Sequence, residues 1–152
     1  MTTPTERLAE LGLTLPAVAT PAGSYIPAKA SGSLVFTAGQ VPFVDGKLAR
    51  TGKVGAEVTA EEAKELAKIC TLNALAAIDA LVGLDNVKGV VKVVGFVASA
   101  PGFGGQPGVV NGASDLLGEV FGESGAHARS AVGVAELPID APVEVELVVE
   151  VA

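Results

Sequence analysis

From position 143 the residues alternate: Val, Glu, Val, Glu, Leu, Val, Val, Glu, Val. A period of two places Val143, Val145, Leu147, Val149 and Val151 on one face of a strand, and Glu144, Glu146, Val148 and Glu150 on the other. The first face must bury. The second must meet water, another subunit or a ligand. A different period rules residues 59–82, where Ala63, Leu66, Ala67, Cys70, Ala74, Ala77, Ile78 and Leu81 recur at helical spacing. Thr59 followed by Glu62 predicts a capping box, Glu61 and Glu62 sit at the positive end of the helix dipole, and Gly83 is the stop. Around these two elements the pattern predicts a short amphipathic helix at 4–11 and an extended connector marked by Pro16 and Pro21. Strands follow at 25–30, 34–38 and 43–48, with Asp45-Gly46 as a turn signal inside the third. A strand at 87–100, a glycine-rich loop at 101–108, a second helix from about 109 to 121, a loop at 122–126 and a strand at 130–135 begun by Arg129 complete the chain.

The order βββαβαββ predicts an α+β fold, a mixed sheet with two helices on one face. Two helices cover only one side. The other side carries Glu144, Glu146 and Glu150 among apolar positions, which suits an oligomer interface with polar pockets. Residues 1–152 read as a single domain, with 1–20 an N-terminal helical extension.

Composition narrows the function. Hydrophobic residues make up 49%, enough for a core, but aromatics only 4%, so that core must be Val, Ala and Leu. The net charge of −7 argues against nucleic acid as a partner, because phosphate binding rests on Lys and Arg. One cysteine permits no internal disulfide, and no apolar run is long enough for a membrane helix. The expectation is a cytoplasmic protein without a membrane partner. One His and one Cys offer no zinc spacing, so no metal is expected, and Gly102 to Gly108 lacks the lysine of a phosphate loop.

Two side chains carry candidate chemistry. Arg129 can clamp a substrate carboxylate with two parallel hydrogen bonds; from composition alone a structural ion pair to Glu144 or Glu136 is the better reading. Glu144 can act as a general base on water, although Glu146 and Glu150 at the same phase favour an ordinary solvated strand. His127 reads as a solvated loop residue, and Cys70 on the apolar helix face as a buried, inert thiol.

A run of motifs shifts that balance. Gly23-Ser24-Tyr25, Val35 to Pro42, Val110-Asn111, Arg129-Ser130, Leu137-Pro138 and Val143-Glu144-Val145-Glu146 stand in an order that resembles the Rid family. Those are the reactive-intermediate imine deaminases, also called YjgF or L-PSP endoribonuclease-like proteins. The likeness runs from about Tyr25 to Ala152. It implies a chorismate-mutase-like fold and a homotrimer with clefts between subunits. It further implies a cofactor-independent deaminase that hydrolyses small carboxylate-bearing imines or enamines to 2-oxo acids and ammonia. By position, Arg129 would bind the carboxylate and Glu144 would position or activate water. Tyr25, Ala38, Gly39, Asn111, His127 and the backbone of Ala131 would line the cleft, Tyr25 of one subunit against Arg129 of the next. Two positions depart from the family's main branch: Ala38 where Ser is frequent, and His127 where Pro is frequent. A non-catalytic trimer that binds small carboxylates on the same fold is the alternative; ribonuclease activity fits the acidic balance poorly.

Overall fold

The valine stripe builds the centre of the molecule. In the computed structural model, which describes residues 2–152, Val143, Val145, Leu147 and Val149 of β7 (Val143–Val151) are sealed from solvent. β7 lies in the middle of a five-stranded sheet. On one side it pairs antiparallel with β2 (Leu34–Thr37), which pairs with β1 (Ala28–Ser31). On the other it pairs antiparallel with β5 (Val87–Ala98), which pairs in parallel with β6 (Ala128–Val134) at the far edge. The parallel pair needs a crossover, supplied by α3 (Gln106–Phe121).

The long helix α2 (Ala60–Val82) forms as its pattern requires. Thr59 accepts from the Glu62 amide and the Glu62 side chain accepts from the Thr59 amide, so the capping box is complete. Its small apolar face packs on α3, and the two helices cover the same side of the sheet. Gly112 makes their close approach possible, since a Cβ there would collide with the Lys64 carbonyl. The short α1 (Pro4–Glu10) closes the end of this layer, with Leu8 buried and Thr5 bonded to Asp85.

Four elements differ from the sequence expectation. The segment 43–48 is not one strand but a separate hairpin, β3 (Phe43–Val44) and β4 (Lys47–Leu48). Asp45 and Gly46 both take positive φ, 52° and 81°, which folds the chain back after two residues. The first strand starts at Ala28 rather than 25, because Pro27 has no N–H to give the ladder; its carbonyl accepts from Ala38 instead. The second helix starts three residues early at Gln106, since Pro107 suits a first helical turn. β6 starts at Ala128, so Arg129 lies inside the strand.

The uncovered side of the sheet carries Glu144, Glu146 and Val148 of β7, Phe36 of β2 and Val132 of β6. Phe36 is 45% exposed and Val132 42%. This face is neither a core nor a fully polar surface. No helix of the described residues is long and apolar enough to cross a membrane.

Candidate functional site

Arg129 sits opposite Val93 in the parallel ladder, and Val93 sits opposite Leu147. Both neighbours are buried beneath the helices, so Arg129 points to the helix side of the edge strand. There it meets one stripe of α3. Its Nη1 donates to Asn111 Oδ1 at 2.7 Å and to Ser114 Oγ at 3.2 Å, and its Nη2 donates to the Pro107 carbonyl at 3.3 Å. Positions 107, 111 and 114 share a face by helical spacing. His127 extends the cluster. Its Nε2 lies 2.9 Å from Ser114 Oγ and its Nδ1 lies 2.6 Å from the Gly125 carbonyl. A carbonyl only accepts, so Nδ1 carries a proton; in the neutral ring Nε2 then accepts from the Ser114 hydroxyl. Ser114 thereby keeps a lone pair for Arg129. Three of the guanidinium's five N–H donors are used within the chain. Two remain, the number that a carboxylate takes in a fork.

The structural ion pair weighed for Arg129 does not form. Glu136 pairs with Lys53 at 2.7 Å, and Glu144 lies on the opposite side of the sheet. His127 is likewise no solvated loop residue but a bonded member of the cluster.

Glu144 faces Phe96 across the ladder, on the uncovered side. It is half-buried, and Gly39 approaches it so closely that an added Cβ would stand 2.8 Å from its Cδ. A side chain at Gly39 would therefore displace the Glu144 carboxylate from where it stands. Burial raises the Glu144 carboxyl above the ordinary glutamate range, and the like charge of Glu146 adds to the shift. Tyr25, Ala38 and Gly39 share with Glu144 an open groove that also touches Lys29, Phe36 and Pro138. Tyr25 is fixed from within its own segment, its hydroxyl accepting from the Ala22 amide at 3.1 Å. Past Glu144 the groove narrows to a pocket of about 110 Å³.

The chain thus sorts the expected residues into two groups. Tyr25, Ala38, Gly39 and Glu144 share the groove; Asn111, His127 and Arg129 share the cluster on α3. Ala131 stands two residues beyond Arg129 on the same side of β6, opposite Gly95 and partly packed into the core. Arg129 and Glu144 do not meet in one chain. Two strand spacings of about 4.8 Å and three residues at about 3.3 Å separate their backbones by roughly 14 Å. Ser114 and the Pro107 carbonyl were not anticipated. The signal for both was available, since each lies one helical turn from Asn111. Cys70 is buried, its thiol pushed well up by desolvation and then by Glu144, and plays no part at either group. Among the described residues no group of three or more His, Cys, Asp or Glu is placed to hold a metal.

Comparison with known proteins shows that the fold is shared. A trypanosomal protein, Protein TCP17 of Trypanosoma cruzi, is 47% identical over 145 residues, 94% of this chain and 91% of that one. A crystal structure of a protein of unknown function from Agrobacterium tumefaciens matches with 44% identity and a TM-score of 0.90 over 99% of this chain and 94% of its own. A "putative endoribonuclease" from Shewanella oneidensis MR-1 matches with 36% identity and a TM-score of 0.94 over 98% and 99%. The family model described as "YjgF/chorismate_mutase-like, putative endoribonuclease" covers residues 5–151, the N-terminal helix included. The fold class and family expected from the sequence are those of this model, and the chain belongs to the YjgF/chorismate-mutase-like family.

Proposed function

We propose that the protein is a cofactor-independent deaminase of small 2-imino or enamine acids, working in clefts between three copies of the chain. The observation that carries this is the unfilled half of each group. Arg129 is oriented by three partners and retains two donors, while Glu144 waits in a groove on the other side of the sheet. They can serve one substrate only if the β6–α3 edge of one copy abuts the Glu144 groove of the next. Such an interface joins two different patches, and a head-to-tail contact of this kind closes into a ring of three when each copy is turned by a third of a circle from the last. The partly apolar uncovered face, with Phe36 and Val132 exposed, gives that ring its buried surface.

The chemistry follows from the groups. Arg129 takes the substrate carboxylate in a bidentate contact, worth roughly 1.5–3 kcal/mol. The adjacent C=N carbon then lies toward Glu144 of the neighbouring copy. Water attacks that carbon of the protonated imine as Glu144 takes a proton from the water, and the nitrogen becomes a neutral amine beside the new hydroxyl. Glu144 passes that proton to the nitrogen, the C–N bond breaks with its electron pair leaving on ammonia, and the hydroxyl gives its own proton to Glu144 as it becomes the carbonyl. General-base help of this sort contributes about 10²–10⁴ in rate. The remainder is orientation, because the carboxylate anchors the electrophile. The charge of −7 and the glutamates of the uncovered face speak against a polyphosphate substrate.

The test is direct. An amino-acid oxidase generates an imine in situ and semicarbazide traps what survives. Wild-type protein should lower the trapped fraction and Arg129→Ala should not. Equal clearance by both proteins overturns the enzymatic reading in favour of a carboxylate-binding trimer. A stable monomer in sedimentation at micromolar concentration overturns the shared cleft.

A further inference from the structure

The narrow end of the groove bears on which imines the cleft accepts, an inference that rests on the reading above. Beyond Glu144 lies the pocket of about 110 Å³. Three separate segments wall it: Ala19 and Pro21 from the N-terminal connector, Val41 and Phe43 after β2, and Pro138 and Ile139 before β7. No basic residue lines it; Lys29 reaches only the outer groove. An anionic group inside would stand beside Glu144 with no cation to offset it. A long cationic side chain would not fit. A cavity of about 150 Å³ holds a benzene ring, so this one holds about four carbon atoms.

Ile139 is a second, independent pointer. It has φ 53° and ψ 28°, left-handed values that a β-branched residue rarely adopts. Its side chain is nonetheless 62% exposed at the pocket rim. The turn it belongs to is closed by the Ala141 amide on the Pro138 carbonyl, a backbone bond that does not need an isoleucine at this position. The side chain does furnish an apolar lip for whatever enters.

We propose that this pocket receives the substrate side chain, and that the protein selects imines of amino acids with aliphatic side chains of about four carbons. The connector that follows α1 is then a specificity element: it forms the outer wall against which the side chain packs.

The experiment compares imines generated from alanine, valine, leucine, glutamate and arginine, each trapped with semicarbazide. From alanine to leucine, kcat/KM should rise roughly fourfold for each methylene buried. The glutamate and arginine imines should do no better than that of alanine. Ala19→Leu extends the wall into the pocket from a segment outside every helix and strand, and should reduce the leucine-to-alanine ratio at least tenfold. Flat rates across the series, a preference for either charged imine, or an unchanged ratio in Ala19→Leu would overturn the proposal. Should no imine be hydrolysed, the deaminase reading falls separately, and calorimetric binding of the matching 2-oxo acids decides the pocket. The same order of affinity supports it; a reversed order or no binding overturns it.

Discussion

The Arg129 cluster and the Glu144 groove are built on opposite principles. Around Arg129 the polar groups form one bonded set: Ser114 to His127, His127 to the Gly125 carbonyl, and the guanidinium to Asn111, Ser114 and Pro107. Around Glu144 stand a glycine in close contact, the like charge of Glu146 and a pocket with no cation, walled largely by apolar residues. One group is organised before any ligand arrives. The other carries an ionisable group whose charged form is disfavoured where it stands. Rigid orientation suits anchoring, and an uncomfortable carboxylate suits proton transfer. The lesson is that a single chain can hold both halves of a site in finished form while keeping them apart.

The contrast breaks most severely at Glu144. Glu144→Gln removes the base and should lower kcat by about 10²–10⁴ with little change in KM, read by semicarbazide trapping. Arg129→Ala removes the anchor instead, and kcat/KM should fall roughly 10- to 100-fold, mostly through KM. These two variants then test the separation itself. In a ring where each cleft takes Arg129 from one copy and Glu144 from the next, every mixed trimer has one intact cleft. Co-refolding the two variants in equal amounts should restore about a quarter of wild-type activity. Recovery indistinguishable from the separate variants would show that each cleft draws both residues from one chain.

A smaller effect is expected inside the Arg129 cluster. Ser114→Ala removes one neutral partner of the guanidinium, so KM should rise about two- to tenfold with kcat held. His127→Phe should do the same if the ring acts only through Ser114. A fall in kcat alone would assign these residues a different role.

The smallest effect is in pH dependence. A base is active when ionised, and the Glu144 carboxyl lies above its usual range. The acid limb of kcat should therefore appear at higher pH than an ordinary glutamate would place it. The same shift acts on stability. A carboxyl raised in the folded state favours folding below its unfolded value, and that favour is lost as pH rises through the folded value. At neutral pH Glu144→Gln should thus melt higher than wild type, and the gap should close on acidification. A variant that melts lower at neutral pH would contradict the burial argument.

How much of this was legible beforehand differs from strand to strand. β7 announces both its faces, because apolar residues and glutamates alternate along it with only Val148 out of phase. β6 does not. Arg129, Ala131 and Gly133 lie on one face and Ser130, Val132 and Val134 on the other, and neither set is clearly apolar. Its orientation is decided by pairing with β5, a tertiary fact, so the separation of Arg129 from Glu144 could not be read in advance. The capping box at Thr59 was legible because every contact in it is local. The hairpin at 43–48 was half legible. Asp45-Gly46 marked the turn, but only the closure of the neighbouring sheet without this segment shows that it stands apart.

The position of β7 has a consequence for how the molecule comes into being. Synthesis proceeds from β1 to β7, yet β7 is the strand that joins β2 to β5. Until it emerges, β1 and β2 form one fragment, β5 and β6 another, and the edges that will embrace β7 stand open. The nascent chain therefore holds a sheet with its middle missing, and contacts spanning more than a hundred residues must form last. Folding governed by such distant contacts is slow and exposes edges prone to mispairing. A truncation that removed β7 would leave two unlinked fragments rather than a slightly smaller protein, so the strand that carries Glu144 is also the one without which there is no sheet.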